Sequence, residues 1–230
     1  MERRKLIIGS YDTALRGPWT LADWSFPEPE PQTNLVEIPG RDGPLDLSTA
    51  LTDGEPVYSG SRELTAVLEC SEGTYNDRVK LIREMVGELN GRRLQIFLPD
   101  DPIHYAEGRV TVKTEYNDLA HCAVTVTAIC DPWRYKKTET VITLHPEARN
   151  AKTAVLPNAG RRVVVPTVEL IGDNNPWVDL SVDFRVAHWG LYYQQGPAFI
   201  LPDLKLKQGN TKLRYYGEGT VKITYREAVL

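Results

Sequence analysis

The chain has 230 residues, of which 41% are hydrophobic and 25% charged, a composition typical of a folded protein and too apolar for disorder. Its 31 acidic and 27 basic residues give a net charge of -4, which disfavours the basic surface that nucleic-acid binding requires. No stretch approaches the roughly 18 apolar residues of a membrane span, and the N-terminal segment lacks a signal-peptide pattern, so we expect a protein that is made and kept in a cytoplasm.

The first third of the chain consists of short apolar runs separated by turn-forming residues. The Pro-Glu-Pro-Glu-Pro segment at 27–31 lacks amide donors that a helix or a central strand would need, which predicts an extended surface loop. From Arg62 to Cys70 the apolar residues alternate with polar ones, which predicts a half-buried strand whose inner face ends at Cys70.

One helix is predicted, from about Tyr75 to Asn90. Its apolar residues recur at a spacing of three and four and form a single stripe: Val79, Ile82, Met85, Val86 and Leu89. Thr74 and Asp77 match a capping box, and Asn90-Gly91 supplies a left-handed stop.

After the helix, further strands are predicted. The run LQIFLP is typical of a strand, and Asp100-Asp101-Pro102 of a turn. Alternating segments at 105–116 and 119–130 predict a hairpin joined tightly at Asn117-Asp118, which tolerates a positive φ. The inward positions of the second strand are Cys122, Val124, Val126, Ala128 and Cys130.

A domain boundary is predicted where Pro132 should end this strand. Residues 1–137 carry 16 basic and 22 acidic side chains, a net charge of -6, whereas residues 138–230 carry 11 and 9, a net charge of +2. The second domain has seven or eight short runs rich in Val, Ile, Thr and Tyr and no helical pattern, which predicts a β-sandwich or barrel. The fold class is therefore mainly β with one α-helix.

Catalytic and metal-binding signals are weak. The four histidines, His104, His121, His145 and His188, lack partners at metal-ligand spacing. The three cysteines include no C-x-x-C pair and fit small buried hydrophobes, and His121 and Cys122 should point to opposite faces of a strand. Adjacent carboxylates such as Asp100-Asp101 fit turns. We therefore expect no enzyme activity, no cofactor and no metal site.

Aromatic residues in the second domain support an alternative function. Trp177 and Trp189, together with Tyr192, Tyr193, Tyr215 and Tyr216, could form a platform on which sugars stack, as in a carbohydrate-binding module for host-surface adhesion. The other interpretation is that these residues pack within strands, because Trp and Tyr are favoured there.

The stretch IPGRDGPLDLS at 38–48 is rich in turn formers. Pro39-Gly40 suits a type II turn. Asp42-Gly43 fits a two-residue hairpin turn, but Pro44 lacks the amide hydrogen that would close it. A bent crossover is therefore predicted rather than a simple hairpin.

Beyond this turn, Leu45 and Leu47 should share a buried face. Asp46 should then point the other way, available to Arg41 or to a neighbouring subunit.

The order of the motifs resembles that of the distal tail proteins of long-tailed bacteriophages or prophages. A Pro-Gly-x-x-Gly-x-Leu-Asp-Leu-Ser stretch at 39–48 precedes Pro56, Tyr58 and Arg62, and a strand, a helix, a strand, a hairpin and Asp-Pro-Trp at 131–133 follow. In the second domain, the segments 157–172 and 204–230 resemble the Asn-x-Gly and Gly-x-Gly motifs of the family. The resemblance spans nearly the whole chain.

This resemblance implies a structural virion protein rather than an enzyme. Such proteins form a hexameric ring at the tail tip that joins the tail tube to the hub or lysin protein and often holds receptor-binding proteins. DNA passes through the ring without being recognised, and no membrane is entered. The first domain would form the ring as a β-sandwich or barrel-like domain, and the second would be a galectin-like sandwich. Assembly would take place in the bacterial host cytoplasm.

Candidate subunit-interface residues follow from the same motifs: Arg41, Asp42, Asp46, Tyr58 and Arg62. A third possibility, a tail hydrolase, would use Asp173 or His188.

Overall fold

The computed structural model describes residues 5–52, 54–58, 60–172, 175–182, 187–193, 196 and 198–230, without the side chains of 187 and 188. The regular secondary structure of these residues is one α-helix and a series of β-strands, which confirms the predicted β-rich class. No helix within these ranges has the length and apolar character needed to cross a membrane. The chain divides into two compact units: unit 1 runs to Arg134 and includes Leu230, and unit 2 is Tyr135–Val229.

Unit 1 is built around one antiparallel sheet and one helix. Its elements are β1 (Ile7–Ile8), β2 (Tyr11–Asp12), β3 (Thr20–Ser25), β4 (Leu35–Val36), β5 (Leu45–Asp46), β6 (Arg62–Cys70), α1 (Tyr75–Leu89), β7 (Arg93–Leu98), β8 (Asp101–Asn117) and β9 (Cys122–Lys136), the last of which continues into unit 2. The sheet order is β2-β1-β7-β8-β9-β6-β3, and β4 and β5 pair separately.

The core of unit 1 lies between the inner face of this sheet and α1. On β6 and β9 the inner residues are those that the alternation predicts, and register pairs such as Leu64 with Ala128 and Leu68 with Val124 bring them together. From the helix, Ile82, Met85 and Leu89 complete the core.

The helix begins and ends where predicted. Thr74 accepts a hydrogen bond from the Asp77 amide while the Asp77 carboxylate accepts from the Thr74 amide, so the capping box is present. Gly91 takes a φ of 78°, whereas Asn90 stays extended. The apolar stripe includes one residue that the pattern does not reveal: the buried Arg78 donates to the carbonyls of Gly73 and Asp118, both at 2.8 Å.

Three local predictions in this region are wrong. β8 already begins at Asp101, so the turn is confined to Pro99-Asp100. The hairpin loop covers 118–121 without a positive φ, because Asp118 Oδ1 accepts from the amides of Ala120 and His121 and shapes a wider turn. β9 continues through Pro132, which lies beyond the last register pair with β6, Arg62 with Cys130, so its missing donor breaks no bond to β6.

Unit 2 holds two four-stranded antiparallel sheets, ordered β10-β17-β12-β15 and β11-β16-β13-β14. The strands are β10 (Thr140–Leu144), β11 (Lys152–Asn158), β12 (Thr167–Ile171), β13 (Trp177–Val182), β14 (Ala187–Tyr192), β15 (Ala198–Ile200), β16 (Gly209–Glu218), β17 (Thr220–Tyr225) and β18 (Ala228–Val229). Buried residues of both sheets form one core, including Leu156, Val168, Leu180, Leu213 and Ile223.

Two details of unit 2 differ from the prediction. The pattern does not reveal β11, because Lys152 and Asn158 occupy two of its four inner positions and Pro157 lies within the strand. The run LKLKQG is not a strand: Leu206 forms only an isolated bridge with Val164.

Candidate functional site

The segment 32–52 forms an exposed hairpin arm on unit 1. Leu35 pairs with Asp46 and Val36 with Leu45, so β4 and β5 are the two strands of a hairpin whose loop covers 37–44. The Gln32 amide donates to the Val57 carbonyl at 2.7 Å and closes the base of the arm. The predicted bent crossover is therefore wrong. Pro44 does exclude a two-residue turn, but the loop at 37–44 is long enough that the hairpin needs no hydrogen bond from the Pro44 nitrogen.

The loop of the arm contains the predicted type II turn. The Arg41 amide donates to the Ile38 carbonyl at 3.1 Å, and Gly40 has a φ of 84°. The two glycines and two prolines bend the loop around a surface cavity of about 440 Å³, lined by Glu37, Ile38, Pro39, Arg41, Gly43 and Pro44. The turn residues thus determine the shape of the arm.

Apolar side chains of the arm are exposed. Leu35 is 58% exposed and Leu51 99%, and Val36, Ile38 and Leu47 also contact solvent. The prediction that Leu45 and Leu47 share a buried face is therefore wrong. Leu47 is exposed because the arm does not pack onto the core of unit 1. Exposed apolar residues grouped in one segment are a common feature of protein interaction surfaces.

Three charged residues of the arm were predicted to lie at an interface, and all three are exposed. Among the described residues neither Arg41 nor Asp42 has an ion-pair partner. Asp46 Oδ1 accepts from the Ser48 amide at 2.9 Å, and the hydroxyl and amide of Ser48 lower the pKa of Asp46. Asp46 is therefore ionised at neutral pH.

Arg62 anchors the chain leading into the arm. Its side chain is 2% exposed, and its guanidinium lies 3.8 Å from the centroid of the Phe26 ring. It donates to the carbonyls of Pro27 at 2.6 Å, Pro132 at 3.3 Å and Phe26 at 3.4 Å. Burial lowers the pKa of Arg62. Since all its bonds are made within its own unit, Arg62 supports the arm from inside.

Tyr58 anchors the other end of the arm. Its ring meets that of Trp133 edge to face, with the centroids 5.5 Å apart. Both predicted residues outside the arm proper thus lie at its base, Arg62 as the first residue of β6 and Tyr58 just upstream of that strand. The structure brings all five predicted interface residues to the arm or its attachment.

Potential catalytic groups occupy structural positions. His104 Nδ1 lies 3.0 Å from Asp101 Oδ1, and Arg134 donates to Asp101 Oδ2 at 2.9 Å. Burial acts to raise the pKa of Asp101, but these partners outweigh it and lower the pKa. Burial raises the pKa of Cys122 to about 11 and that of Cys130 to about 12, so both are protonated thiols at neutral pH.

The described ranges contain no group of three or more His, Cys, Asp or Glu residues that could hold a metal ion. Asp173 and the side chain of His188 lie outside the described residues.

The two candidate sugar-binding tryptophans lie on opposite faces of β13 and β14. Val178 and Leu180 are buried, so Trp177 and Asp179 face outward by alternation. Trp177 packs edge to face on Tyr216 at 5.7 Å and is the register partner of the exposed Tyr192. By contrast, Trp189 packs against the core of unit 2.

The exposed apolar residues of the arm are the feature that sequence reasoning missed. A signal is present: Leu35, Val36, Ile38 and Leu51 lie in a segment too rich in Pro, Gly and charge to form an inward face. Apolar residues without a periodic pattern in such a segment indicate exposure.

Comparison with known proteins supports the fold. No protein-family model and no curated protein matches the chain. A solved structure is similar over 98% of this chain and 99% of its own, with a TM-score of 0.70 and 16% sequence identity. It is the Dit protein (gp 19.1) of SPP1, described as a paradigm of the hub adsorption apparatus in phages that infect Gram-positive bacteria. The resemblance carried by the motifs is thereby confirmed at the level of the fold.

Proposed function

We propose that this chain is a structural component of a bacteriophage tail tip, active in a virion or encoded by a prophage. The observation that carries the proposal is the likeness to Dit over nearly the full length of both chains, which includes both units rather than one common β-sandwich. The motif order at 39–62 supports it independently, because that order is a property of the residues themselves and does not depend on similarity of fold.

In this proposal unit 1 forms a ring, of six copies, that joins the tail tube to the tip hub. Unit 2 is the outer, galectin-like sandwich that holds a receptor-binding protein. Assembly takes place in the host cytoplasm before the virion leaves the cell. The role is non-enzymatic, and the protonated state of Cys122 and Cys130 is consistent with it.

The hairpin arm supplies the contact between neighbouring subunits in this proposal. Its exposed apolar residues would leave water on contact, and burying one leucine side chain contributes about 2 kcal/mol. Arg41, Asp42 and Asp46 would set the register of the contact, since charged rims determine orientation more than affinity.

Sedimentation of leucine variants tests the contact. Leu51→Ser should weaken each subunit contact about 30-fold while the monomer stays folded. Leu119→Ser is the matched control, because Leu119 is 91% exposed but lies in the β8–β9 loop outside the arm. Assembly that is equally weak in both variants, or unchanged in Leu51→Ser, would contradict a contact through the arm.

Charge reversal tests the register. Arg41→Glu and Asp46→Arg should each reduce assembly without changing the circular dichroism spectrum of the monomer. If the oligomer is unchanged, the charges of the arm serve only its own folding.

A second candidate function is sugar binding by unit 2. It is favoured by the aromatic group of Trp177, Tyr192 and Tyr216 on one outward face, where Tyr216 donates to Asp179 at 2.9 Å. Ring faces and a carboxylate are what a pyranose requires, for stacking and for hydroxyl bonding respectively. We therefore assign the platform to Trp177 rather than Trp189.

Saturation-transfer NMR against a panel of host-wall glycans tests this candidate. Binding should disappear in Trp177→Ala, and the core of the variant should remain folded because the ring lies outside it. Trp189→Ala is not a useful probe, since it removes a ring that packs against the core. No transfer to any glycan by the wild type would contradict sugar binding.

A further inference from the structure

Cys70 and Cys122 face each other across two antiparallel strands. β6 ends at Cys70, β9 begins at Cys122, and the two are register partners. Partners in antiparallel strands have Cα atoms about 4.5 to 5.5 Å apart, which is inside the roughly 4.4 to 6.8 Å span of disulfides. Both side chains are buried on the same face of the sheet.

Register and burial on a shared face place the two thiols side by side. The electrostatics of the pair agree with this placement: after burial, the Cys70 thiol is the next cause that raises the pKa of Cys122.

We propose that Cys70 and Cys122 form a disulfide when unit 1 meets a low-molecular-weight disulfide such as glutathione disulfide. This modification site is independent of the proposed tail function, because it rests only on the pairing of β6 and β9.

The reaction proceeds by two thiol–disulfide exchanges. One cysteine loses its proton and its sulfur attacks the glutathione disulfide, forming a mixed disulfide and releasing one glutathione thiolate. The second cysteine then attacks the protein sulfur of the mixed disulfide and releases the second glutathione. In total the protein loses two protons and two electrons, and these convert one glutathione disulfide into two glutathione molecules.

The position of the pair at the strand ends provides access. Residues 71–77 and the loop 118–121 on either side are largely exposed, so opening the last rung of the ladder uncovers both thiols without unfolding the core. Below the thiol pKa the thiolate fraction rises about tenfold per pH unit, so the rate should rise in the same proportion as pH is raised from neutral.

Cys130 is a control within the same strand. It is buried on the same face of β9, but its register partner is Arg62, which offers no thiol. Its Sγ donates to the Ala128 carbonyl at 3.6 Å, as the Sγ of Cys70 does to the Glu72 carbonyl, so the register partner is what distinguishes the two cysteines. If oxidation requires a cysteine as the register partner, Cys130 will stay a free thiol. If any cysteine of the folded chain reacts, Cys130 will be modified as well.

Mass spectrometry of the folded full chain tests the proposal. The protein is incubated with excess glutathione disulfide, quenched with acid, alkylated and digested. We expect a linked peptide pair joining Cys70 to Cys122, with Cys130 alkylated. Cys130→Ser should leave the linked pair unchanged, and Cys70→Ser should abolish it. The same treatment in denaturant is the positive control, because all three pairings should then form.

Formation of the bond should also raise the unfolding midpoint of unit 1. The disulfide closes the loop from 71 to 121, which contains α1, β7 and β8, and restrains the unfolded chain. Cys70 and Cys122 that stay free in the folded chain while all pairings form in denaturant would overturn the proposal. Mixed disulfides with glutathione at both sites, or links between two chains, would overturn it equally.

Discussion

Replacing Arg62 by alanine should destabilise unit 1 strongly and release the arm. The bond to the Pro27 carbonyl, at 2.6 Å, is short and charge-assisted, and such bonds contribute about 1.5 to 3 kcal/mol. The stacked guanidinium at 3.8 Å from the Phe26 ring adds about 1 to 2 kcal/mol for a desolvated pair. The bonds to Phe26 and Pro132 are long, at 3.4 and 3.3 Å, and add little.

The ion pair of Arg62 with Glu28 adds little as well. The Glu28 side chain is 77% exposed, so solvent screens its attraction to the buried guanidinium. The expected loss for Arg62→Ala is therefore about 3 to 5 kcal/mol in the free energy of unfolding.

Urea unfolding followed by circular dichroism and tryptophan fluorescence measures this loss. Arg41→Ala is the surface control and should change stability by less than about 0.5 kcal/mol, because Arg41 is exposed. Arg62→Lys keeps the charge but not the planar guanidinium, and it should still lose more than half of the free energy of unfolding that Arg62→Ala loses. In native buffer, trypsin should cut Arg62→Ala at Arg41 faster than the wild type. A loss below about 1 kcal/mol would refute the anchoring role.

Further variants test separate parts of the fold. Thr74→Ala removes the helix cap and should cost about 1 kcal/mol. It should also raise the pKa of Asp77, which Thr74 holds below its usual value, and an NMR titration would detect the change. Gly217→Ala should destabilise unit 2 by about 3 kcal/mol or more in urea, because φ is 149° and a Cβ would overlap the Trp177 carbonyl. The pKa of Asp101 is lowered in the folded state, so the stability that its ionised carboxylate contributes is present above its unfolded pKa and is lost as the pH falls through its folded pKa. In Asp101→Asn the free energy of unfolding should therefore depend less on pH in the acid range.

Periodic patterns predicted the elements that bury one face. The alternation on β6 and the stripe on α1 each follow from the geometry of a strand or helix against a core, so Leu64, Leu68 and Met85 are where the sequence places them. The capping box at Thr74 was predictable because its bonds lie within one turn.

Prediction failed where the outcome depends on residues distant in sequence. Arg78 is buried on an apolar stripe because the carbonyl of Asp118, 40 residues away, accepts its hydrogen bond. Pro132 is tolerated within β9 because β6 begins at Arg62, opposite Cys130, and no residue of β6 pairs with Pro132. The pairing of β4 with β5 escapes prediction since strands of two residues carry no period.

The turn chemistry of the candidate site was predictable, but the partners of its side chains were not. The type II turn at Pro39-Gly40 is present, whereas the interface role of the region 39–62 stays a prediction. Whether a side chain such as Arg62 faces a neighbour or its own chain depends on the Phe26 and Pro132 contacts, which no local pattern reveals.

Electron microscopy of the purified full chain, alone and mixed with a tail tube or hub protein, would decide whether the chain forms a ring. We expect ring-shaped particles whose class averages have six-fold symmetry, and these rings should be depleted in Leu51→Ser but retained in Leu119→Ser. A chain that remains monomeric under all these conditions and binds neither partner would contradict this expectation.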